Sequence, residues 1–342
     1  MRAWFESEWQ RLGGGALVFL PLAAAYFALA ALRRALYRWR VLRAWRAPVP
    51  VLVVGNITVG GTGKTPLVIA AVEALLRAGH RPGVVSRGYG RVPPTDSDPR
   101  GVVRVLPGLA TPEHFGDEPV LIARRTNVPV YVSPDRPAAA KALLAAHPET
   151  DVLVSDDGLQ HYALARDVEI AVVDGERGFG NGLPLPSGPL REPVSRLRAV
   201  DAVVVNGGHS DRVPAPRQFA MALGGERFQS FRGEEASPAA FALASRERRV
   251  AAVAGIGNPV RFFSHLDRLG VVAERHPFPD HHPFQPGDLR LPGVDLVVMT
   301  EKDAVKCTAF ADGRMWFLRV EAALPPDFDA FLLESLFPRK RP

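Results

Sequence analysis

The residues best suited to chemistry form one short run, Thr58-Val59-Gly60-Gly61-Thr62-Gly63-Lys64-Thr65. Glycines let successive backbone N–H groups turn toward a single anion. A lysine at the end of such a loop reaches β- and γ-phosphates, and a following threonine hydroxyl ligates Mg²⁺. The pattern G-x-x-x-x-G-K-[ST] has glycine where this chain has Thr58. That position only opens the loop and tolerates a small residue better than the tight turn at Gly63 does. The alternative is an ordinary glycine-rich turn with a surface lysine.

Further candidates are scattered. Ser155-Asp156-Asp157-Gly158-Leu159-Gln160-His161 follows an apolar run, as does the carboxylate that holds Mg²⁺ directly or through water in phosphoryl-transfer sites. Adjacent aspartates cannot both point the same way in a strand, so Asp156 and Asp157 should divide metal binding from orientation of water, substrate or Lys64. Asp117 or Glu118, in Gly116-Asp117-Glu118-Pro119, could take a proton from an acceptor hydroxyl; equally, the pair suits a helix start. Arg87, in Ser86-Arg87-Gly88-Tyr89-Gly90, and Arg191, in the proline-pinned segment 183–192, suit anions or solvent. In Asp280-His281-His282-Pro283-Phe284, the Asp-His pair suits proton transfer better than a metal, because no cysteine cluster accompanies it. Thr300-Glu301-Lys302-Asp303 superficially resembles the guanine-reading element of a GTPase switch. It could equally contact nucleotide or substrate, or simply begin a helix.

These positions need a frame that collects them. Residues 51–54, 82–85, 128–132, 152–154, 170–173 and 202–205 are apolar strand candidates. Helical stretches at 67–76, 118–125 and 136–147 separate several of them. This βα alternation predicts a mostly parallel α/β sheet covered on both faces. Ligands then sit beyond the C-terminal ends of the strands, so the residues just after each strand matter most. Residues 212–217 read as a proline-rich linker and 219–231 as one or two short strands. Strands at 249–254 and 295–299 and a helix at 261–269 then suggest a second, smaller α/β domain. The expected divisions are 1–50, 51–210 and 211–342, with residues 339–342 frayed.

The chain has 342 residues, 47% of them apolar and 23% charged, which is enough for two globular cores. Cys307 is the only cysteine, which excludes an internal disulfide. The formal charge of +6 favours an anionic partner. Residues 14–32 carry no charge and are followed by arginines interleaved with Tyr37, Trp39 and Trp45. A cleaved signal is disfavoured because most of the basic residues come after the apolar run. The expectation is a membrane-seated helix or helical hairpin, with a packed soluble helix and a single span as alternatives. Nucleic-acid binding is not supported, since the basic excess lies beside this apolar segment rather than on an aromatic platform.

The segments VGNITVGGTGKTP, SRGYG, GDEP, DDGLQH, LPSGPLREP, FPDHHPF and TEKDAVK, in this order from Gly55 to Lys306, resemble the tetraacyldisaccharide 4′-kinase family of the lipid A pathway. That resemblance implies a P-loop NTPase-type core and ATP-dependent phosphorylation of the 4′-hydroxyl of a tetraacylated glucosamine disaccharide 1-phosphate. It implies that residues Thr58 to Thr65 bind ATP, and that Thr65, Asp156 and Asp157 serve Mg²⁺. Asp117 would activate the hydroxyl, with Glu118 beside it and His281 supporting it across a cleft. Arg87, Gln160, His161 and Arg191 would serve the substrate or the surrounding shell. The N-terminal helix would seat the enzyme, peripheral or monotopic, on the cytoplasmic face of the inner membrane.

Overall fold

A computed structural model describes residues 9, 13–91, 101–106, 110–208 and 210–338. The tail at 339–342 therefore lies outside the described residues. Two helices, α1 (Gly14–Val18) and α2 (Leu20–Arg38), precede β1 (Val51–Gly55) and α3 (Lys64–Arg77). Next come β2 (Pro82–Ser86), β3 (Val103–Val105), α4 (Pro112–Phe115), α5 (Asp117–Thr126), β4 (Val130–Val132), α6 (Arg136–Ala146) and β5 (Val152–Asp156). β6 (Val168–Asp174), β7 (Ala202–Asn206), β8 (Gln218–Ser230) and β9 (Glu235–Ala236) follow. The chain closes with α7 (Pro238–Ser245), β10 (Val250–Ala254), α8 (Pro259–Arg268), β11 (Glu274–Pro277), β12 (Leu296–Thr300), α9 (Glu301–Cys307), β13 (Met315–Ala323) and α10 (Asp327–Leu336).

The strands form one sheet in the order β11-β10-β12-β13-β8-β7-β6-β1-β5-β2-β4-β3, with β9 attached to β8. Every pairing is parallel except β3–β4, β8–β13 and β8–β9. Parallel strands need crossover helices on the sheet faces, which buries both sides of each strand. Hence β1, β2, β5, β6 and β7 are buried along their whole lengths. On one face α3, α5 and α10 contribute Leu67, Leu75, Ile122, Phe328 and Leu332; on the other, Leu143 of α6 packs with Leu159, Leu164 and Leu197.

The expected strands are present, with two instructive differences. β6 begins at Val168, before the apolar run, and includes the buried Glu169. The charge hides the strand in the sequence. In the fold it is neutralised by Arg196 at 2.6 Å and Arg166 at 2.8 Å. The second difference is β8, which is a single strand of 13 residues. Its first residues pair with β7 and its remainder runs antiparallel to β13, so the two halves share one sheet. Gly224-Gly225 masks this continuity. A Cβ on Gly225 would lie 2.6 Å from Leu318 Cγ and 2.7 Å from the Arg319 carbonyl, beside a register shift in β13, so close backbone approach demands glycine.

α2 lies against the body through the fully buried Ala23, through Tyr26 Oη, which donates to the Arg191 carbonyl at 3.3 Å, and through Arg33, which donates to the Gln160 carbonyl at 3.2 Å. Its other side exposes Leu22, Leu29 and Leu32, continued by Trp39, Val41 and Leu42. Among the described residues, no helix is long and apolar enough to cross a membrane.

Candidate active site

Strand C-terminal ends converge on a cavity of about 640 Å³ between the β1–β7 half and the β10–β13 half. The loop after β1 forms its floor, and residues 59–65 line it. Gly63 has φ +95°, and a Cβ there would lie 2.9 Å from Asn206 Nδ2 and 3.0 Å from Met221 Cε, so only glycine fits. Asn206, the last residue of β7, donates to the Thr62 carbonyl at 3.1 Å, and Asn56 donates to Thr62 Oγ1 at 3.3 Å. The proline-rich segment braces the loop from outside. Val59 N–H donates to the Pro189 carbonyl at 2.8 Å, and Thr58 bridges Leu190. Thr58 is therefore a bracing residue facing a small side cleft rather than the cavity.

Lys64 Nζ lies 3.6 Å from Asp157, and Arg191 donates to both oxygens of that carboxylate at 3.1 and 3.2 Å. Burial pushes Asp157 up, but Lys64 and Arg191 outweigh it and hold the carboxyl well below the usual range. Asp157 has φ +47°, a left-handed conformation uncommon for a residue other than glycine, and so turns away from its neighbour. Asp156 points instead toward Ser86, whose hydroxyl donates at 2.9 Å. Asp156 is 1% exposed, and its Oδ1 has no hydrogen-bond partner among the described residues. Burial, reinforced by Glu118 and Asp157, pushes its pKa up to about 7. Arg136 donates to the Asp156 carbonyl at 2.9 Å and so fixes the bend between the two aspartates.

This donor set suits a small hard cation. Among the described residues, no three or more His, Cys, Asp or Glu side chains form a ready metal cage. Mg²⁺ is bound characteristically by one or two carboxylates together with phosphate oxygens. The orphaned Asp156 oxygen and the repulsion among Asp156, Asp157 and Glu118 are what such an ion would relieve.

The opposite wall brings the acceptor-side candidates together. His281 Nδ1 lies 2.9 Å from Asp117 Oδ2, although the two residues are 164 positions apart. Burial pushes Asp117 up, but the His281 hydrogen bond and the ammonium groups of Lys302 and Lys306 outweigh it and leave the carboxyl well below its ordinary value. His281 has φ +62° and packs against Tyr89, with ring centres 5.6 Å apart. Glu118, Arg191, Asp157 and His281 all line the cavity.

Arg87, Gln160 and His161 do not line it. Arg87 is exposed. Gln160 donates to the Asn56 carbonyl at 3.0 Å and so braces the floor loop. His161 is pushed down to about 4 by burial and by Arg136, Arg33 and Arg166, which keeps it uncharged at neutral pH.

A model of the tetraacyldisaccharide-1-P 4′-kinase family matches residues 15–337. The chain belongs to this family. The tetraacyldisaccharide 4′-kinase of Dechloromonas aromatica is 49% identical, the match covering 97% of each chain. That of Methylobacillus flagellatus is 46% identical over 98% of this chain and 95% of its own. The crystal structure of LpxK from Aquifex aeolicus in complex with ATP superposes with a TM-score of 0.74 at 28% identity, covering 94% of this chain and 99% of that one.

Within this kinase, several site residues escaped sequence reasoning. Asn206 and Asp174 end β7 and β6 at the ligand edge, and strand-end position alone could have flagged them. Arg261 of α8 ties both to the far half, donating to Asn206 Oδ1 at 2.9 Å and lying 3.5 Å from Asp174. The segment holding Lys302 and Lys306 does stand out in the sequence as a possible nucleotide or substrate contact, but nothing there aims the face they share on α9 at Asp117.

Proposed function

We propose that this kinase transfers the γ-phosphoryl group of ATP to the 4′-hydroxyl of a tetraacylated glucosamine disaccharide 1-phosphate, giving lipid IVA and ADP in lipid A biosynthesis. The observation that carries the reading is the Asp117–His281 pair, whose His281 lines the same cavity as the Lys64 loop, in a chain of this family.

The loop N–H groups and Lys64 hold the β- and γ-phosphates. Thr65, Asp157 and Asp156 would hold Mg²⁺, which when bound neutralises phosphate charge. The 4′-oxygen forms a bond to the γ-phosphorus as the bond from that phosphorus to the bridging oxygen breaks, and ADP leaves. Asp117, fully ionised, first accepts a hydrogen bond from the hydroxyl. It takes the proton late, when the attacking oxygen has become acidic in the loose transition state. His281 orients Asp117. Residues 51–210 work as the nucleotide-binding half, and residues 211–342 close over it and exclude water that would hydrolyse ATP.

The test is to incubate the purified protein with Mg-ATP and the lipid disaccharide and look for a product heavier by one phosphate. Lys64→Ala should lower its formation about 10²–10³-fold. ATP hydrolysis without phosphorylated lipid would overturn the assignment. A GTPase switch is disfavoured by the buried Asp303. Its carboxylate is engaged by Lys306 at 2.7 Å, Thr300 at 2.7 Å and the Gly255 N–H at 2.8 Å, which leaves it unable to read a base.

The same proposal places the exposed apolar side of α2 and the arginines after it on the cytoplasmic surface of the inner membrane, so that acyl chains remain in lipid. Leu29→Glu with Trp39→Glu should weaken co-sedimentation with anionic phospholipid vesicles about tenfold or more. Unchanged binding would place the membrane contact elsewhere.

A further inference from the structure

The role of His281 turns on which nitrogen carries its proton, and Asp117 and Lys302 together decide it. Lys302 Nζ lies 3.4 Å from His281 Nε2. An ammonium group has three N–H donors and no acceptor, so it faces Nε2 favourably only if that nitrogen offers a lone pair. The proton then sits on Nδ1, from which it is donated to Asp117 at 2.9 Å. Lys302 is itself fixed by carboxylates from two other segments, Glu118 at 3.4 Å and Asp280 at 3.7 Å. Of the remaining charged groups nearby, Asp280 would draw a proton onto Nε2, but Lys302 lies closer to that nitrogen. Lys306 lies 3.6 Å from Asp117 and is engaged by Asp303, while Asp280 approaches Nε2 no closer than 3.7 Å.

The geometry points to Lys302 as a positioning residue that locks His281 in the neutral Nδ1–H tautomer. The inference rests on the kinase reading above and deepens it. With Nδ1 already protonated, His281 cannot take the hydroxyl proton from Asp117. It works as a fixed hydrogen-bond donor that keeps one carboxylate oxygen occupied and leaves the other for the substrate. The proton therefore stays on Asp117 until product leaves. Without Lys302, Nε2 becomes free to hold a second proton, and the resulting imidazolium draws charge from Asp117 and weakens it as the acceptor of the hydroxyl proton.

The test combines spectroscopy with kinetics on the full-length protein. Histidine-labelled enzyme is observed by ¹⁵N NMR at about pH 8, above the ordinary imidazole range, with His281→Gln identifying the signal. Wild type should show a protonated Nδ1 and an unprotonated Nε2 on His281. Lys302→Met should lose that signature and lower kcat about 10–100-fold with the ATP KM little changed. Lys302→Arg, which restores a donor, should recover most of both. A wild-type His281 protonated on Nε2 would overturn the inference whatever the variants do. So would Lys302→Met with an unaltered tautomer. The wild-type tautomer is read without any turnover, so absence of lipid phosphorylation would sink the kinase reading separately.

Discussion

Asp117→Asn is expected to lower kcat for lipid phosphorylation about 10³-fold, the scale of a lost general base in phosphoryl transfer, with little change in the ATP KM. His281→Ala should cost less, about 10–100-fold, because it removes the orienting group and leaves the base. The double variant should be no slower than Asp117→Asn alone, since the pair acts as a unit. Asp117→Asn should also weaken the fold. The carboxyl lies below its ordinary value in the native state, so its ionised form stabilises folding at every pH above the unfolded value. That contribution fades only as the pH falls toward the native value. Asparagine leaves Lys302 and Lys306 short of a counter-charge, at a cost of about 1–3 kcal/mol. Chemical denaturation at neutral pH reads this loss. Near-wild-type turnover in Asp117→Asn would refute the base assignment.

The second large effect has the opposite sign for stability. Asp156 is buried beside Glu118 and Asp157, and its pKa is pushed up to about 7. The native state thus binds the proton more tightly than the unfolded chain does. Ionised Asp156 destabilises the fold once the pH rises above about 7, has little effect when protonated in both states below about 4, and its cost grows between them. Asp156→Asn removes that cost and the repulsion that causes it. The metal-free variant should therefore melt several degrees higher than wild type at about pH 8.5, with a smaller gain at about pH 5.5. At the same time, phosphotransfer should fall about 10²-fold or more and require higher Mg²⁺, because a charged oxygen ligand is gone. Thermal melts at the two pH values and a Mg²⁺ titration of activity decide the point. A variant that melts lower at both pH values would mean that the Asp156 charge is satisfied rather than stored for an ion.

The paired behaviour follows from position. Asp117 sits among cations delivered by α9, and Asp156 among carboxylates at the ends of β5 and α5. Two residues of one type, both buried, acquire opposite couplings to folding.

The sequence by itself determined whatever is contiguous. The candidate phosphate loop is legible because adjacent backbone amides, Lys64 and Thr65 would act together on one anion without help from elsewhere. The buried parallel strands are legible because burial on both faces forces continuous apolar runs. The ordered set of seven segments was enough to suggest the family. Tertiary structure decided the rest, because contact across long sequence separation depends on strand order and side-chain direction, which local pattern does not encode. The meeting of Asp117 with His281 requires β10 and β12 to lie beyond β13 and β8 in the same sheet. Gln160 and His161 look reactive in sequence, yet one braces the Asn56 carbonyl and the other is half-buried beside arginines that keep it uncharged. Glu169 hides a strand because a charge reads as surface until Arg196 and Arg166 are placed against it. The turn that holds Lys302 reads as a nucleotide or substrate contact or as a plain helix start, until the fold sets its ammonium group 3.4 Å from His281 Nε2.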